Sequence, residues 1–195
     1  MRSIYFVRHA QPLFPTGERY CLGGETDWPL SEEGRKQCEI LKAEFIPEIM
    51  EGANQGKSFE VWSSPLKRAI ETAEYLCLKN QVPKINQNLK EMSAGEWEGL
   101  SFSEIRQKYP VQYKLRRNNQ GMELIPGAET NEQGLNRFSN AISEILNKSN
   151  AENIIIVAHA TVIQLYMCQL NNEPLDVSRK YKPNYAEVIR MDINA

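Results

Sequence analysis

Histidine and aspartate are both scarce in this chain of 195 residues: histidine occurs only at His9 and His159, aspartate only at Asp27, Asp176 and Asp192. With no clustered acids there is no oxygen-rich nest for magnesium or calcium, so the chemistry is expected to need neither metal nor cofactor. The cysteines, Cys21, Cys38, Cys77 and Cys168, are widely spaced and form no CxxC pair. That pattern argues against a zinc site or a disulfide framework and predicts free, mostly buried thiols. None of them is followed six positions later by arginine, which removes the cysteine-nucleophile signature for phosphate chemistry.

Charge of one sign is also lacking. The formal net charge is −2 and the isoelectric point is near 5.8. Such a balance leaves no electrostatic footprint for nucleic acid or an anionic membrane surface, so any anion must be bound locally. Long apolar runs are absent: the run after Arg2 has only four residues, Ile4–Val7, too short for a signal-peptide core or a bilayer span. A cytoplasmic location is the expectation. A hydrophobic content of 41% with both charge signs mixed predicts one globular domain over 1–195, with a helical excursion at about 100–125. The sequence carries no signal for oligomeric state.

The chain does contain two very similar segments. Ile4-Tyr5-Phe6-Val7 is a continuous β-branched and aromatic run, the composition of a strand buried on both faces, and it ends in Arg8-His9-Ala10. Asn153–Ala160 repeats the design, an apolar run ending in His159-Ala160. A lone histidine is usually a satisfied structural residue. Two of them, each at the carboxyl end of a strand, point to the sheet edge where open α/β folds build their sites.

Between these strands, Gln11–Pro29 is a long loop rich in glycine and proline, a length that usually signals function. Ser31 is a good N-cap for a helix to about Glu44 whose apolar face uses Cys38, Leu41 and Phe45, and Gly34 in its first turn suggests a close neighbour. Glu51–Ser58 superficially resembles a nucleotide-binding loop. Its spacing is one residue short and it precedes a strand instead of following one, so it reads as a surface loop.

Phe59–Trp62 is a second strand, and Ser63-Ser64-Pro65 turns it into a helix, with Ser63 or Ser64 as the cap and Pro65 at the first helical position. Arg68 then lies in the first turn. Free N–H groups at such a terminus bind anions, and an arginine there, of the wrong sign for the helix dipole, is explained by a bound anion. Val82–Gln87 reads as an edge strand. Glu91, Glu96 and Glu98 follow in a glycine-containing loop. Ser101 and Glu104 stand in capping-box register for a helix to Tyr109, and the basic stretch to Gln120 reads as a solvated helical lid. Pro126-Gly127 is a turn, Thr130–Asn147 a helix facing inward through Leu135, Phe138, Ile142, Ile145 and Leu146, Thr161–Gln169 a helix, and Tyr185–Met191 a last strand. Strands alternating with helices predict an α/β fold with a mostly parallel sheet covered on both faces.

Arg8, His9, Arg68, His159 and one acid from the Glu91–Glu98 loop would thus meet at one sheet edge. Arginine forks match phosphate oxygens bidentately, a neutral imidazole is a competent nucleophile toward phosphorus, and a carboxylic acid can protonate a departing alkoxide. The residues alone do not choose among Glu91, Glu96 and Glu98.

On these residues the chain resembles the histidine phosphatase superfamily, also called phosphoglycerate mutase-like. The resemblance runs through Arg8-His9-Ala10, Gly24 to Gly34 with Asp27, Pro29, Leu30 and Ser31, Ser63-Ser64-Pro65-Leu66-Lys67-Arg68-Ala69 with Thr72-Ala73, Glu91 to Gly99 with Gly95, Trp97 and Glu98, and His159. It implies a three-layer αβα sandwich. It further implies that His9 is the nucleophile, that Arg8, Arg68 and His159 bind the phosphate, and that Glu91 is the proton donor and later the base for water. Gln11, at the head of the loop, joins the substrate-binding set. Two departures stand out: Ala10 and Ala160 replace the glycines that usually follow both histidines, and Pro12 stands where threonine or serine is common. The added methyls are expected to be tolerated.

The leading expectation is a metal-independent phosphomonoesterase acting on a small phosphorylated metabolite. The Tyr20–Gly34 segment and the short chain look like the α-ribazole phosphatase and broad-specificity phosphatase branch. A cofactor-dependent phosphoglycerate mutase is the alternative, disfavoured because mutases of that kind are typically longer. A catalytically inactive phospho-ligand-binding module is a third reading. Specificity is expected in the Gln11–Trp28 loop and the 109–121 excursion.

Overall fold

The computed structural model describes residues 2–53, 59–117, 125–175 and 179–193. Five strands, β1 (Arg2–Arg8), β2 (Phe59–Ser63), β3 (Lys84–Ile85), β4 (Asn153–Ala158) and β5 (Val188–Ile193), form one sheet in the order β3-β2-β4-β1-β5. All neighbours are parallel except β5, which runs antiparallel along β1. β3 is the expected edge strand in shorter form.

Both faces of the central strands are apolar, which is why β1 and β4 read as continuous hydrophobic runs and not as alternating ones. Ile4 and Phe6 point to one side, where they pack with Leu135, Phe138, Ile142 and Ile145 of α5 (Asn131–Lys148) and Val162 and Ile163 of α6 (Ala160–Leu170). Tyr5 and Val7 point to the other, against Leu41, Phe45 and Ile49 of α1 (Glu32–Ala53) and Ala69, Ala73 and Leu76 of α2 (Lys67–Leu76). The result is the expected helix–sheet–helix layering.

The helix starts follow the sequence closely. Ser31 caps α1, its Oγ accepting from Gly34 N at 3.0 Å, and α1 then runs beyond the expected end at Glu44 to Ala53. Glu51–Ala53 of the expected surface loop are therefore helical, while 54–58 lie outside the described residues. Gly34 does have a close neighbour: a Cβ there would collide with the Gln11 carbonyl oxygen. The capping box of Ser101 and Glu104 opens α3 (Phe102–Lys108), and a second one, Thr130 with Gln133, opens α5.

The basic excursion is α4 (Pro110–Arg117); residues 118–124 of it lie outside the described residues. It is less solvated than its composition suggests. Tyr109 and Tyr113 pack against the buried Trp97 ring, with centroids 6.3 and 6.4 Å away, in a small cluster with Ile105 and Ile125. Among the described residues no helix is long and apolar enough to cross a membrane. No cysteine is in a disulfide, and burial pushes the Cys21 thiol up to about 12 and those of Cys38 and Cys77 up to about 11, so none of these three is a thiolate near neutrality.

Candidate active site

Strand register brings the two histidines together. β1 and β4 pair so that Arg8 lies opposite Ala158, and His9 N donates to Ala158 O at 3.0 Å just beyond the last pair. The next residues, His9 and His159, therefore stand side by side, with ring centroids 5.0 Å apart. On the other side of β4, Ser64 N donates to Val157 O at 3.0 Å. That step delivers Ser64 Oγ to 2.8 Å from His159 Nε2.

The tautomer of His9 follows from its partners. Nδ1 is 2.7 Å from the Ala10 carbonyl oxygen, which can only accept, so Nδ1 carries the hydrogen and Nε2 keeps its lone pair. Arg68 Nε donates to that Nε2 at 3.3 Å. Burial above all, and then the charges of Arg68 and Arg8, hold the His9 imidazole well below its ordinary value of 6.5. His9 is thus a neutral ring near pH 7 whose unprotonated Nε2 accepts from a guanidinium.

His159 is fully buried and is lowered for the same reasons, burial first and then Arg68, His9 and Arg8. Ser64 Oγ accepts from Leu66 N at 3.3 Å and can give its hydroxyl hydrogen to His159 Nε2. In that arrangement Nδ1 carries the ring hydrogen, and Nδ1 is buried without a partner. Arg8 Nε is likewise buried and unpartnered, although Arg8 Nη1 is fixed on Pro183 O at 2.9 Å and the guanidinium lies 3.9 Å from the Tyr185 ring centroid. Orphaned buried donors are rare in folded proteins. Two of them on adjacent strand ends, beside two guanidiniums, make a site suited to an oxyanion.

Arg68, also fully buried, has a second task. Its Nη1 and Nη2 donate to Thr26 O at 2.6 Å and Gly23 O at 3.0 Å, tying down the loop after β1. Glu98 grips the same loop from the other side: its carboxylate accepts from Gly23 N at 3.1 Å, Glu25 N at 3.2 Å, Ala94 N at 2.9 Å and the Thr26 hydroxyl. Asp27 completes it by accepting from Lys67 N at 2.6 Å at the start of α2. This corrects the expected helix start. Leu66 and not Ser63 or Ser64 occupies the N-cap position, Pro65 precedes it, and the first-turn amide expected to meet an anion is spent on Asp27. A carboxylate from a distant loop caps this helix better than the adjacent serines because Ser64 is turned back to Leu66 and His159.

The three candidate acids separate clearly. Glu96 is exposed and takes the Tyr109 hydroxyl, and Glu98 is consumed by the loop. Glu91 is buried, with Oε1 accepting from Met92 N at 2.9 Å and Val162 N at 3.3 Å, and Oε2 from Thr161 N at 3.0 Å. Thr161 and Val162 are in the first turn of α6, directly after His159, so this carboxylate is fixed at the same strand end that carries His159. Its Oε2, with a single donor, has room for a proton. Gln11 is anchored through its backbone: N takes Gln37 Oε1 at 2.9 Å, and O receives Ser31 N and Oγ. The structure thus brings Arg8, His9, Arg68 and His159 together, with the Glu91 carboxylate bonded to the first turn of the helix that follows His159, and Gln11 follows His9 by two residues along the chain. Sequence reasoning missed Ser64, Asp27 and Glu98 as supports, since each acts across 40 to 95 residues of chain on a backbone group or a ring. Among the described residues no group of three or more His, Cys, Asp or Glu is placed to hold a metal ion.

A sheet with two buried histidines and two guanidiniums at its carboxyl edge defines an oxyanion-handling α/β protein, and the chain belongs to the histidine phosphatase superfamily, branch 1, which it matches over residues 4–195. Among curated proteins it is similar to the 6-phosphofructo-2-kinase/fructose-2,6-bisphosphatase of Caenorhabditis elegans, with 30% identity over 174 residues, covering 89% of this chain and 35% of that protein. The human 6-phosphofructo-2-kinase/fructose-2,6-bisphosphatase 4 is 31% identical over 163 residues, covering 84% and 31%. The chain therefore spans about a third of the length of these relatives. Among solved structures, the α-ribazole phosphatase of Shigella flexneri superposes with a TM-score of 0.79 at 23% identity, covering 98% of this chain and 91% of that one. A mycobacterial glucosyl-3-phosphoglycerate phosphatase in complex with VO3 has a TM-score of 0.77 at 22% identity, covering 98% and 93%.

Proposed function

We propose that this protein is a metal-independent phosphomonoesterase that hydrolyses a small phosphorylated metabolite through a phosphohistidine. The observation that carries the reading is the neutral His9, with Nδ1–H committed to Ala10 O and the unprotonated Nε2 held only by a long hydrogen bond from Arg68 Nε at 3.3 Å. Arg8 Nε and His159 Nδ1 are the donors left over for phosphoryl oxygens, and together with Arg68 they supply positive charge where the transferring group becomes most negative. Gln11 stands at the mouth of the substrate loop.

In the first step the His9 Nε2 lone pair forms the N–P bond as the P–O bond to the alcohol breaks. The departing oxygen takes the proton from Glu91, so the alcohol leaves neutral. In the second step the Glu91 carboxylate removes a proton from water as its oxygen attacks phosphorus. The N–P electron pair returns to His9, orthophosphate is released and Glu91 is again protonated. Ser64 holds His159 in the tautomer that donates from Nδ1 throughout.

For the substrate, the reading favoured is an α-ribazole phosphatase-like phosphomonoester of a small alcohol. It draws on the fold shared with the Shigella flexneri enzyme. The test uses purified protein in EDTA with p-nitrophenyl phosphate. Turnover is expected, vanadate is expected to inhibit, and His9→Ala is expected to abolish it. Activity that needs added metal, or that survives in His9→Ala, overturns the mechanism. Turnover of 3-phosphoglycerate without phosphate release would identify a mutase instead. Glu91→Gln is expected to slow alkyl phosphates by about 10²–10⁴-fold, and release of p-nitrophenolate, which needs no proton, far less.

A further inference from the structure

The segment carrying Glu91 has an unusual anchorage. Residues 88–93 begin inside one short 3-10 turn, Gln87–Leu89, end before another, Gly95–Trp97, and belong to no strand or α-helix. Their backbone carbonyls have no ladder to join. A guanidinium from α5 fills that need: Arg137 Nη1 donates to Asn88 O at 2.7 Å and Lys90 O at 3.0 Å, and Nη2 donates to Glu91 O at 3.3 Å. Its remaining donors grip Glu129 in a fork, Nε to Oε1 at 2.9 Å and Nη2 to Oε2 at 2.7 Å. All five N–H groups of Arg137 are thus used on protein acceptors, so it is not offered to a ligand. Glu129 extends the clamp by accepting from Ser93 N at 3.4 Å and donating its own N–H to Ser93 O at 3.0 Å. Gly134, one turn before Arg137, lets the helix lie this close, since a Cβ there would collide with the Met92 sulfur.

Glu91 is held on two sides: its carbonyl by Arg137, its carboxylate by Thr161 N and Val162 N of α6. We infer that Arg137, itself fixed by Glu129, is a positioning residue that sets where the Glu91 carboxylate meets the leaving group. This inference rests on the proton-transfer role proposed for Glu91. A purely structural staple would, when cut, affect every substrate alike. A positioning residue affects the step that needs the proton.

The experiment compares an alkyl phosphate with p-nitrophenyl phosphate in Arg137→Met and in Glu91→Gln, reading steady-state turnover for the first and the burst of p-nitrophenolate for the second. Arg137→Met is expected to lose roughly ten- to hundredfold on the alkyl phosphate, the effect of a misplaced catalytic group, with the burst rate kept within about threefold. Arg137→Lys, which keeps the charge but cannot fork, should recover only part of the loss. Should Arg137→Met not fold, Arg137→Lys and Glu129→Gln carry the same comparison. Equal losses on both substrates, or no loss on either, in a set where Glu91→Gln does show the leaving-group signature, overturn the positioning role alone. Absence of the signature in Glu91→Gln itself brings down the assignment of Glu91, and the inference with it.

Discussion

Ala10 departs from the family pattern by one methyl, and its surroundings are apolar. Its N–H donates to Thr72 Oγ1 at 3.0 Å and its carbonyl receives His9 Nδ1–H, both backbone bonds that glycine would make equally. The methyl points away from the imidazole nitrogens into a small fully buried cluster with Leu30 and Cys38. Its position argues for tolerance, as the sequence reading expected, and gives the inactive-module reading no support. Ala10→Gly is accordingly expected to leave kcat within about threefold and to lower stability by about 1–2 kcal/mol, from lost methyl burial and added chain entropy. Parallel p-nitrophenyl phosphate kinetics and urea denaturation check both halves. A large gain in activity would mean that the methyl does narrow the pocket.

Among the elements, the loop from Gly23 to Asp27 is the part of the site that no regular structure supports. It is held instead by side chains arriving from three places: Arg68 on its carbonyls, Glu98 on its amides, and its own Asp27 on the start of α2. Glu98→Ala removes one acceptor from Gly23 N, Glu25 N, Ala94 N and the Thr26 hydroxyl together. Bonds to a charged acceptor are worth more than neutral ones, so a loss of about 2–3 kcal/mol of stability is expected. Because Arg68 bonds both that loop and His9, vanadate affinity is expected to fall by about tenfold, or about 1.4 kcal/mol. Denaturation midpoints and a vanadate titration measure the two effects; unchanged vanadate binding in a destabilised Glu98→Ala would uncouple the loop from the oxyanion site.

At the scale of the whole molecule, two imidazoles buried beside guanidiniums tie stability to pH. Folded His9 and His159 stay unprotonated well below 6.5, whereas in the unfolded chain they take up protons as pH falls through that value. Below about 6.5 the unfolded state therefore binds more protons, so stability rises with pH up to about that point and then levels off as far as these groups are concerned. Urea midpoints measured from about pH 5 to 8 should show the rise, and a His9→Asn/His159→Asn double variant should flatten it. A midpoint that fell with pH across this window would contradict the burial of neutral rings.

The order of residues by itself determined the layered α/β class, the strand-then-histidine design at β1 and β4, and the helix caps of Ser31 and Ser101, because buried strands and caps announce themselves through local composition and spacing. The family pattern also lies in the sequence, and it pointed to Glu91 before any geometry did. Tertiary structure alone decided the rest. Register placed Arg8 opposite Ala158 and so made two separate histidines into one pair. Three glutamates of the same composition were sorted only by what surrounds them: Tyr109 for Glu96, loop amides for Glu98, and the start of α6 for Glu91. The supporting contacts of Ser64, Asp27 and Arg137 were not legible, because a hydrogen bond to a ring or backbone group far along the chain leaves no periodic mark in the sequence. Arg8-His9 could be read as a candidate site from the first ten residues; what brings His159, Arg68 and Glu91 to that pair is the packing of β4, α2, α5 and α6 around it.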